Sequence, residues 1–290
     1  MHPTLITWHG LGFHTWGLMI TLAFSAACLV LAVRSRRVGI DPDRLVPLYL
    51  LAPVLGLAGA RLLHFTMAEP KLFFSHPLAY FDPGQGGFAF YGGVILGVIG
   101  GLIWARMAKI PLLKLCDLAA PAIMLGLALG RIGCFFAGCC HGRPVGLAET
   151  GTLIAFQGGR VVTVAGFPWV ALVYIKNVGV GDIFDVPIFP TQAWESIGAF
   201  SLFLFLSWMW RYHRRFDGQI MGMMLVLYAG LRFTVETFRG DVIRGVDYLG
   251  LFSTSQMVSF AGFAIGLSLL IARWGKGVEK EVPVVVDEEG

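Results

Sequence analysis

The hydrophobic positions of this chain fall into long unbroken runs separated by short polar stretches, rather than into the alternation of strands or the narrow stripes of soluble helices. Seven runs approach the roughly 20 residues that a helix needs to cross a bilayer. They lie near 14–33, 45–66, 88–107, 115–135, 191–210, 218–237 and 254–273. Each is predicted to be a helix, because a helix satisfies its own backbone polar groups in lipid. The breaks differ in kind. Residues 67–87 carry Pro70, Pro77, Pro83 and the turn Gly84-Gln85-Gly86-Gly87, and read as a loop or short re-entrant arm. Residues 147–190 mix β-branched runs, such as Val161-Val162-Thr163-Val164, with Gly and Pro breaks, and read as strands. The expected architecture is an all-α polytopic membrane protein with seven transmembrane helices and a small strand-containing periplasmic head. It forms a single membrane domain over 1–276, with the arm at 67–87 and the head at 137–190, followed by a disordered acidic cytoplasmic tail at 277–290.

Composition agrees with that pattern. Hydrophobic residues make up 56% of the 290 and charged residues 14%, and the mean hydropathy is +0.73, which excludes an ordinary soluble domain. The net charge of +4 needs no nucleic acid to explain it, because the basic residues sort by the ends of the runs. Arg34, Arg36, Arg37 and Arg44; Arg106, Lys109 and Lys114; Arg211, Arg214 and Arg215; and Arg273, Lys276 and Lys280 all fall at alternate ends. The positive-inside rule makes that side the cytoplasm, with the N-terminus outside and the C-terminus inside. Residues 1–13 contain no Lys or Arg, and the first run ends in arginines. That run therefore reads as a retained span and not as a cleaved signal peptide.

Candidate chemistry gathers on the outer side. Gly130-Arg131-Ile132-Gly133-Cys134-Phe135-Phe136-Ala137-Gly138-Cys139-Cys140-His141-Gly142-Arg143 places two arginines, three cysteines and a histidine at the mouth of an apolar run. Tyr228, Arg232, Glu236 and Arg239 recur at helical spacing, a polar stripe that does not belong against lipid and should face a cavity. There a planar guanidinium suits a phosphate, and Glu236 can hold Arg232 in place. Phe90-Tyr91-Gly92-Gly93 pairs an interfacial aromatic with glycines that let a substrate or another helix approach the backbone. The spacing of Cys134, Cys139, Cys140 and His141 fits no familiar structural zinc pattern, and adjacent cysteines are awkward ligands. A disulfide, small apolar filling and a thiol redox role for Cys139-Cys140 stay open as alternatives.

The run from Gly130 to Arg143 resembles the signature of bacterial prolipoprotein diacylglyceryl transferases. The likeness extends to Trp16-Gly17-Leu18-Met19, Gly59-Ala60-Arg61, Tyr91-Gly92-Gly93, Pro190-Thr191-Gln192-Ala193-Trp194-Glu195, Tyr228 with Arg232 and Glu236, and Ser255-Gln256, in order along nearly the whole chain. The resemblance implies an inner-membrane enzyme of seven helices with its active site on the periplasmic side. Such an enzyme moves the diacylglyceryl group of phosphatidylglycerol onto the lipobox cysteine thiol of a lipoprotein precursor, leaving a thioether and releasing glycerol phosphate. Its implied partners are phosphatidylglycerol, the precursor's signal peptide and membrane lipids, with no nucleic acid, metal or diffusible cofactor.

By the same resemblance, Tyr91, Arg131, His141, Arg232 and Glu236 are the expected catalytic set, and Arg131, Arg143, Tyr228, Arg232, Arg239, Gly92, Gly93 and Gly142 the expected substrate contacts. The sequence departs from the family pattern at several places. Tyr91 stands where a histidine thought to act as base is common, Cys134 and Ala137 where asparagines are usual, Cys139 where a glutamate is usual and Trp16 where a tyrosine is usual. His141 occupies a place often held by an aromatic residue. Tyrosine is a poor base at neutral pH, so the expectation is that Tyr91 positions the lipid and that His141, or a tyrosinate at Tyr91, takes the proton. Two other readings follow from these departures and from the buried arginines: a paralogue that uses phosphatidylglycerol with a different acceptor, and a non-catalytic lipid-binding or transport protein.

Overall fold

The computed structural model describes residues 4–8, 11–68, 70, 75, 87, 89–143, 150–156, 159–164, 170–174, 187–239 and 252–277. The arm expected within 67–87 and the acidic tail expected after 277 lie almost wholly outside these residues. Among the described residues, seven long helices follow the seven apolar runs: α1 (Thr15–Arg36), α2 (Val46–Ala68), α3 (Phe90–Met107), α4 (Leu112–Ala137), α5 (Thr191–Tyr212), α6 (Gln219–Glu236) and α7 (Thr254–Arg273). Five of them, α1, α2, α3, α4 and α7, are long and apolar enough to cross a membrane, and the chain is a multi-pass membrane protein. α5 and α6 are of comparable length, but they carry Gln192 and Glu195, and Gln219, Arg232 and Glu236. Those polar side chains lower their hydropathy and, as described below, are mostly buried. The outward face of α5 is nonetheless apolar, with Ile197 67% and Leu204 53% exposed.

Strands occupy the polar breaks. β1 (Thr4–Trp8) and β2 (Leu11–His14) form an antiparallel hairpin leading into α1. β3 (Thr150–Phe156), β4 (Gly159–Val164), β5 (Val170–Tyr174) and β6 (Pro187–Ile188) form a four-stranded antiparallel sheet in chain order. Val161 on β4 is paired with Ile154 on one side and Leu172 on the other.

Two compact units divide the chain: Met1–Leu31 with Cys116–Glu279, and Ala32–Leu115 with Lys280–Gly290. In the second unit, α2 and α3 meet through glycines. A Cβ at Gly92 would lie 2.2 Å from the Gly59 carbonyl oxygen, and one at Gly59 would lie 2.3 Å from that of Gly92, so only glycine permits this approach. Arg61 is buried on α2, its guanidinium 5.2 Å from the centre of the Phe65 ring.

In the first unit, α6 is the central helix, burying Ile220, Gly222, Met224, Ala229, Arg232, Val235 and Glu236. Its N-terminus is capped from a distant helix. Asp117 of α4, fully buried, accepts hydrogen bonds from the backbone N–H of Gly218 at 2.9 Å and of Met221 at 3.0 Å. A carboxylate there satisfies orphan donors and suits the positive end of the helix dipole. Arg214 pairs with Asp117 at 3.4 Å and also with Asp217, so neither buried acid is left uncompensated. Against α6, α7 packs through Gly266 and Gly222. Its own start is a reciprocal capping box of Ser253 and Gln256.

Candidate functional site

The site is built around a residue that the expected catalytic set did not include. Glu195, one turn into α5, is fully buried. Its carboxylate collects three donors. Arg131 donates from Nη2 to Oε1 at 2.9 Å, the Tyr228 hydroxyl donates to Oε1 at 2.9 Å, and Arg232 donates from Nη1 to Oε2 at 3.3 Å. An ionised carboxylate offers about four lone-pair sites, so it can hold three such donors, whereas a buried one without them would be strongly unfavourable. The sequence carries the signal, a glutamate at the start of an otherwise apolar run, but not the convergence of donors that makes it the hub.

Arg232 is the most constrained member. While Nη1 reaches Glu195, Nη2 lies 2.5 Å from Glu236 Oε2 and donates to Ser255 Oγ at 3.0 Å. Ser253 donates to the other oxygen of Glu236 at 3.1 Å, so the residue that caps α7 also anchors the acid that holds Arg232. The expected contact between Glu236 and Arg232 is therefore present, one turn apart on α6. Arg131 has a single partner oxygen on Glu195, and its side chain is 14% exposed against 9% for Arg232. A guanidinium carries five N–H donors, so Arg131 keeps capacity for an anion at the mouth.

The loop after α4 is tied to the start of α5, the helix that carries Glu195. α4 ends at Ala137, and the chain then turns through Gly138 at φ 70° and Cys140 at φ 61°. Two side chains from the start of α5 hold the turn: Gln192 donates to the Cys139 carbonyl at 2.8 Å and Thr191 to the Cys140 carbonyl at 3.0 Å. The next residues pair with two strands of chain at once. Gly142 N–H donates to the Phe189 carbonyl at 2.8 Å, Arg143 N–H to the Phe238 carbonyl at 2.8 Å, and Phe189 N–H to the Arg143 carbonyl at 3.2 Å. A Cβ on Gly142 would sit 2.6 Å from Phe189 Cβ and 2.8 Å from the Phe238 carbonyl oxygen, which explains the glycine. Phe189, Trp194 and Phe238 stack beside this clasp with ring centres 5.3 to 5.6 Å apart.

The structure brings together Arg131, Tyr228, Arg232 and Glu236 directly, and His141, Gly142 and Arg143 in the clasp. Arg239 is displaced from the expected helical stripe, because α6 ends at Glu236; its backbone forms a bridge with Gly142 instead. Arg143 is exposed, with its guanidinium 5.6 Å from the centre of the Phe189 ring. Tyr91, Gly92 and Gly93 belong to the second unit, on the first turn of α3, where the glycines face α2.

The His141 ring places Nδ1 3.1 Å from the Gly142 carbonyl oxygen. A carbonyl can only accept, so Nδ1 carries the proton and Nε2 bears the lone pair in the neutral ring. The thiols of Cys134, Cys139 and Cys140 lie within 4.8 Å of one another. Hydrogen bonds from Cys134 and Cys139, helped by the Arg239 guanidinium, hold the Cys140 thiol well below the ordinary range. Hydrogen bonds with Cys134 and Cys140, together with burial, push Cys139 up.

Comparison with known proteins shows what the chain as a whole is similar to. The family described as prolipoprotein diacylglyceryl transferase matches residues 3–272. A phosphatidylglycerol–prolipoprotein diacylglyceryl transferase of Clostridium tetani is 29% identical over 267 residues, covering 92% of this chain and 96% of its own. One of Clostridium perfringens, numbered 2, is 33% identical over 250 residues, covering 86% and 87%. Another, of Geobacter sulfurreducens, is 29% identical over 264 residues, covering 90% and 91%.

Proposed function

The chain belongs to the prolipoprotein diacylglyceryl transferase family, and from that premise we propose how it carries out the transfer from phosphatidylglycerol to a prolipoprotein for which its relatives are named. The thiol of the precursor's cysteine attacks the glycerol carbon that bears the phosphate. The carbon–oxygen bond breaks as the carbon–sulfur bond forms, leaving a thioether and releasing glycerol phosphate. Charge grows on the departing phosphate oxygen, so the site must supply preorganised donors there.

One observation carries this reading: Arg131 and Arg232 share the buried Glu195 carboxylate. Glu195 and Glu236 fix the two guanidinium planes before substrate arrives, so little reorganisation is needed at the moment of reaction. Arg131, with donors remaining, binds the phosphate of phosphatidylglycerol and stabilises it as it leaves. Arg232 is a supporting cation that completes the positive wall, and Tyr228 sets the Glu195 oxygen against which Arg131 is aligned. Arg143 and Arg239, joined through the Gly142 clasp, add positive field for an anionic lipid headgroup. Nε2 of His141 accepts the acceptor thiol's proton, and Tyr91 positions lipid rather than acting as base.

All seven helices span the bacterial inner membrane in this reading, with the N-terminus periplasmic and the C-terminus cytoplasmic, since the arginine-rich ends alternate as the positive-inside rule requires. The β3–β6 sheet then lies in the periplasm on the same side as the clasp. The decisive experiment is complementation. Bacteria depleted of their own diacylglyceryl transferase are supplied with this chain or with Arg131→Ala, and growth and thioether modification of a reporter lipoprotein are followed. Rescue by the native chain and not by the variant is expected. A well-expressed, membrane-inserted native chain that does not rescue, in a host given a matching precursor, would overturn the reading.

A further inference from the structure

We propose that Cys134, Cys139 and Cys140 form a binding site for one soft metal ion, copper(I), held in trigonal thiolate coordination. The three sulfur atoms already lie within 4.8 Å of one another. Metal–thiolate bonds of about 2.3 Å set the sulfurs of such a ligand set roughly 4 Å apart, so small side-chain rotations close the site around an ion. The sequence spacing hides this arrangement, because adjacent cysteines in regular backbone diverge. Here Cys140 adopts φ 61° directly after the turn at Gly138, which folds its side chain back toward the end of α4.

The arrangement is supported from several directions. Cys134 sits in the last turn of α4. The carbonyls of Cys139 and Cys140 are tied to Gln192 and Thr191 of α5, and Gly142 is clasped between Phe189 and Phe238. Three soft sulfur ligands in one group suit the low coordination number of copper(I), whereas structural zinc takes four ligands. Three thiolates around a monovalent ion carry net negative charge. Arg239 hydrogen-bonds the Cys140 sulfur, so a cation beside the trio offsets part of that charge. Binding releases to solvent only the protons that the thiols still carry, and no change of oxidation state is involved.

The test uses the full chain, purified in detergent, reduced and kept anaerobic, and titrated with copper(I) buffered by a chromophoric chelator. One ion per chain is expected, with the ultraviolet charge-transfer band of a copper thiolate and three sulfur neighbours by X-ray absorption. Cys134→Ser, Cys139→Ser or Cys140→Ser weakens retention by about 100-fold, while Cys28→Ser and Cys116→Ser leave it unchanged. Thermal unfolding of each variant confirms that it is folded, and the X-ray absorption spectrum of the native chain tests the ligand set without any substitution. Retention indifferent to the three substitutions, zinc(II) bound in preference to copper(I), no retention by folded native protein, or a disulfide within the trio in protein isolated without reductant would each overturn the proposal.

Discussion

Glu195, near the start of α5, receives Arg131, near the end of α4, at 2.9 Å across 64 residues of chain. That contact, with the Ser196 hydroxyl donating to the Ala128 carbonyl, joins α4 to α5, and Glu195 passes the constraint on to Arg232 through its second oxygen.

Replacing the carboxylate exposes the dependence. Glu195→Gln keeps the shape but leaves two guanidiniums facing a neutral amide, and breaking a buried pair in this way costs about 3 kcal/mol. Thermal unfolding in detergent should fall accordingly. Turnover should fall by about 100-fold even in the fraction that stays folded, because Arg131 loses its alignment.

Tyr228→Phe removes one of three donors to the same carboxylate and leaves both arginines in place. A hydrogen bond to a charged group is worth about 1.5 kcal/mol or somewhat more. The expected loss in activity is therefore smaller than for Glu195→Gln, and a substitution that matched it would show that the hydroxyl acts on substrate directly.

Arg131→Lys separates charge from geometry. It preserves the cation but not the planar fork that spans Glu195 and a phosphate, and a loss on the order of 100-fold in kcat is expected. Full activity in the lysine variant would make Arg131 a point charge only.

The Asp117 cap makes a prediction for stability alone. Asp117→Ala strands the N–H groups of Gly218 and Met221 and leaves Arg214 with Asp217 as its remaining carboxylate partner. A destabilisation of about 3 kcal/mol is expected, with turnover per folded molecule unchanged, because the cap lies at the opposite end of α6 from Arg232. A selective loss of turnover would contradict that division.

In the second unit, Gly92→Ala drives a methyl into the Gly59 carbonyl, and overpacking of this kind costs about 1–3 kcal/mol. Gly97→Ala, with nothing within 4 Å of its added methyl, is the matched control. Equal unfolding temperatures for the two variants would remove the argument for the glycine contact.

Much of the architecture was legible because membrane helices announce themselves by length and apolarity: all seven runs became helices with ends within a few residues of those expected. Arg131, Arg232 and Glu236 could be singled out because a charge in an apolar run has to be explained. Glu195 belongs to the same class and is its hub, yet a linear sequence does not show that three donors from two other helices converge on it. The cysteine trio was hidden for a different reason. Its proximity depends on a left-handed backbone at Cys140, and residue types do not reveal that conformation when the residue is not glycine. Arg239 misled in the opposite sense, since the periodicity ran on past the point where α6 stops at Glu236.

The central claim is that Arg131, aligned by Glu195, stabilises the departing phosphate. Its most direct test is the release of glycerol phosphate from phosphatidylglycerol by the purified chain, in the presence of a lipobox-containing peptide. The native chain should release it in proportion to thioether formed, and Arg131→Ala should bind the peptide normally while releasing almost none. Equal release by the native chain and the Arg131→Ala variant would contradict the account.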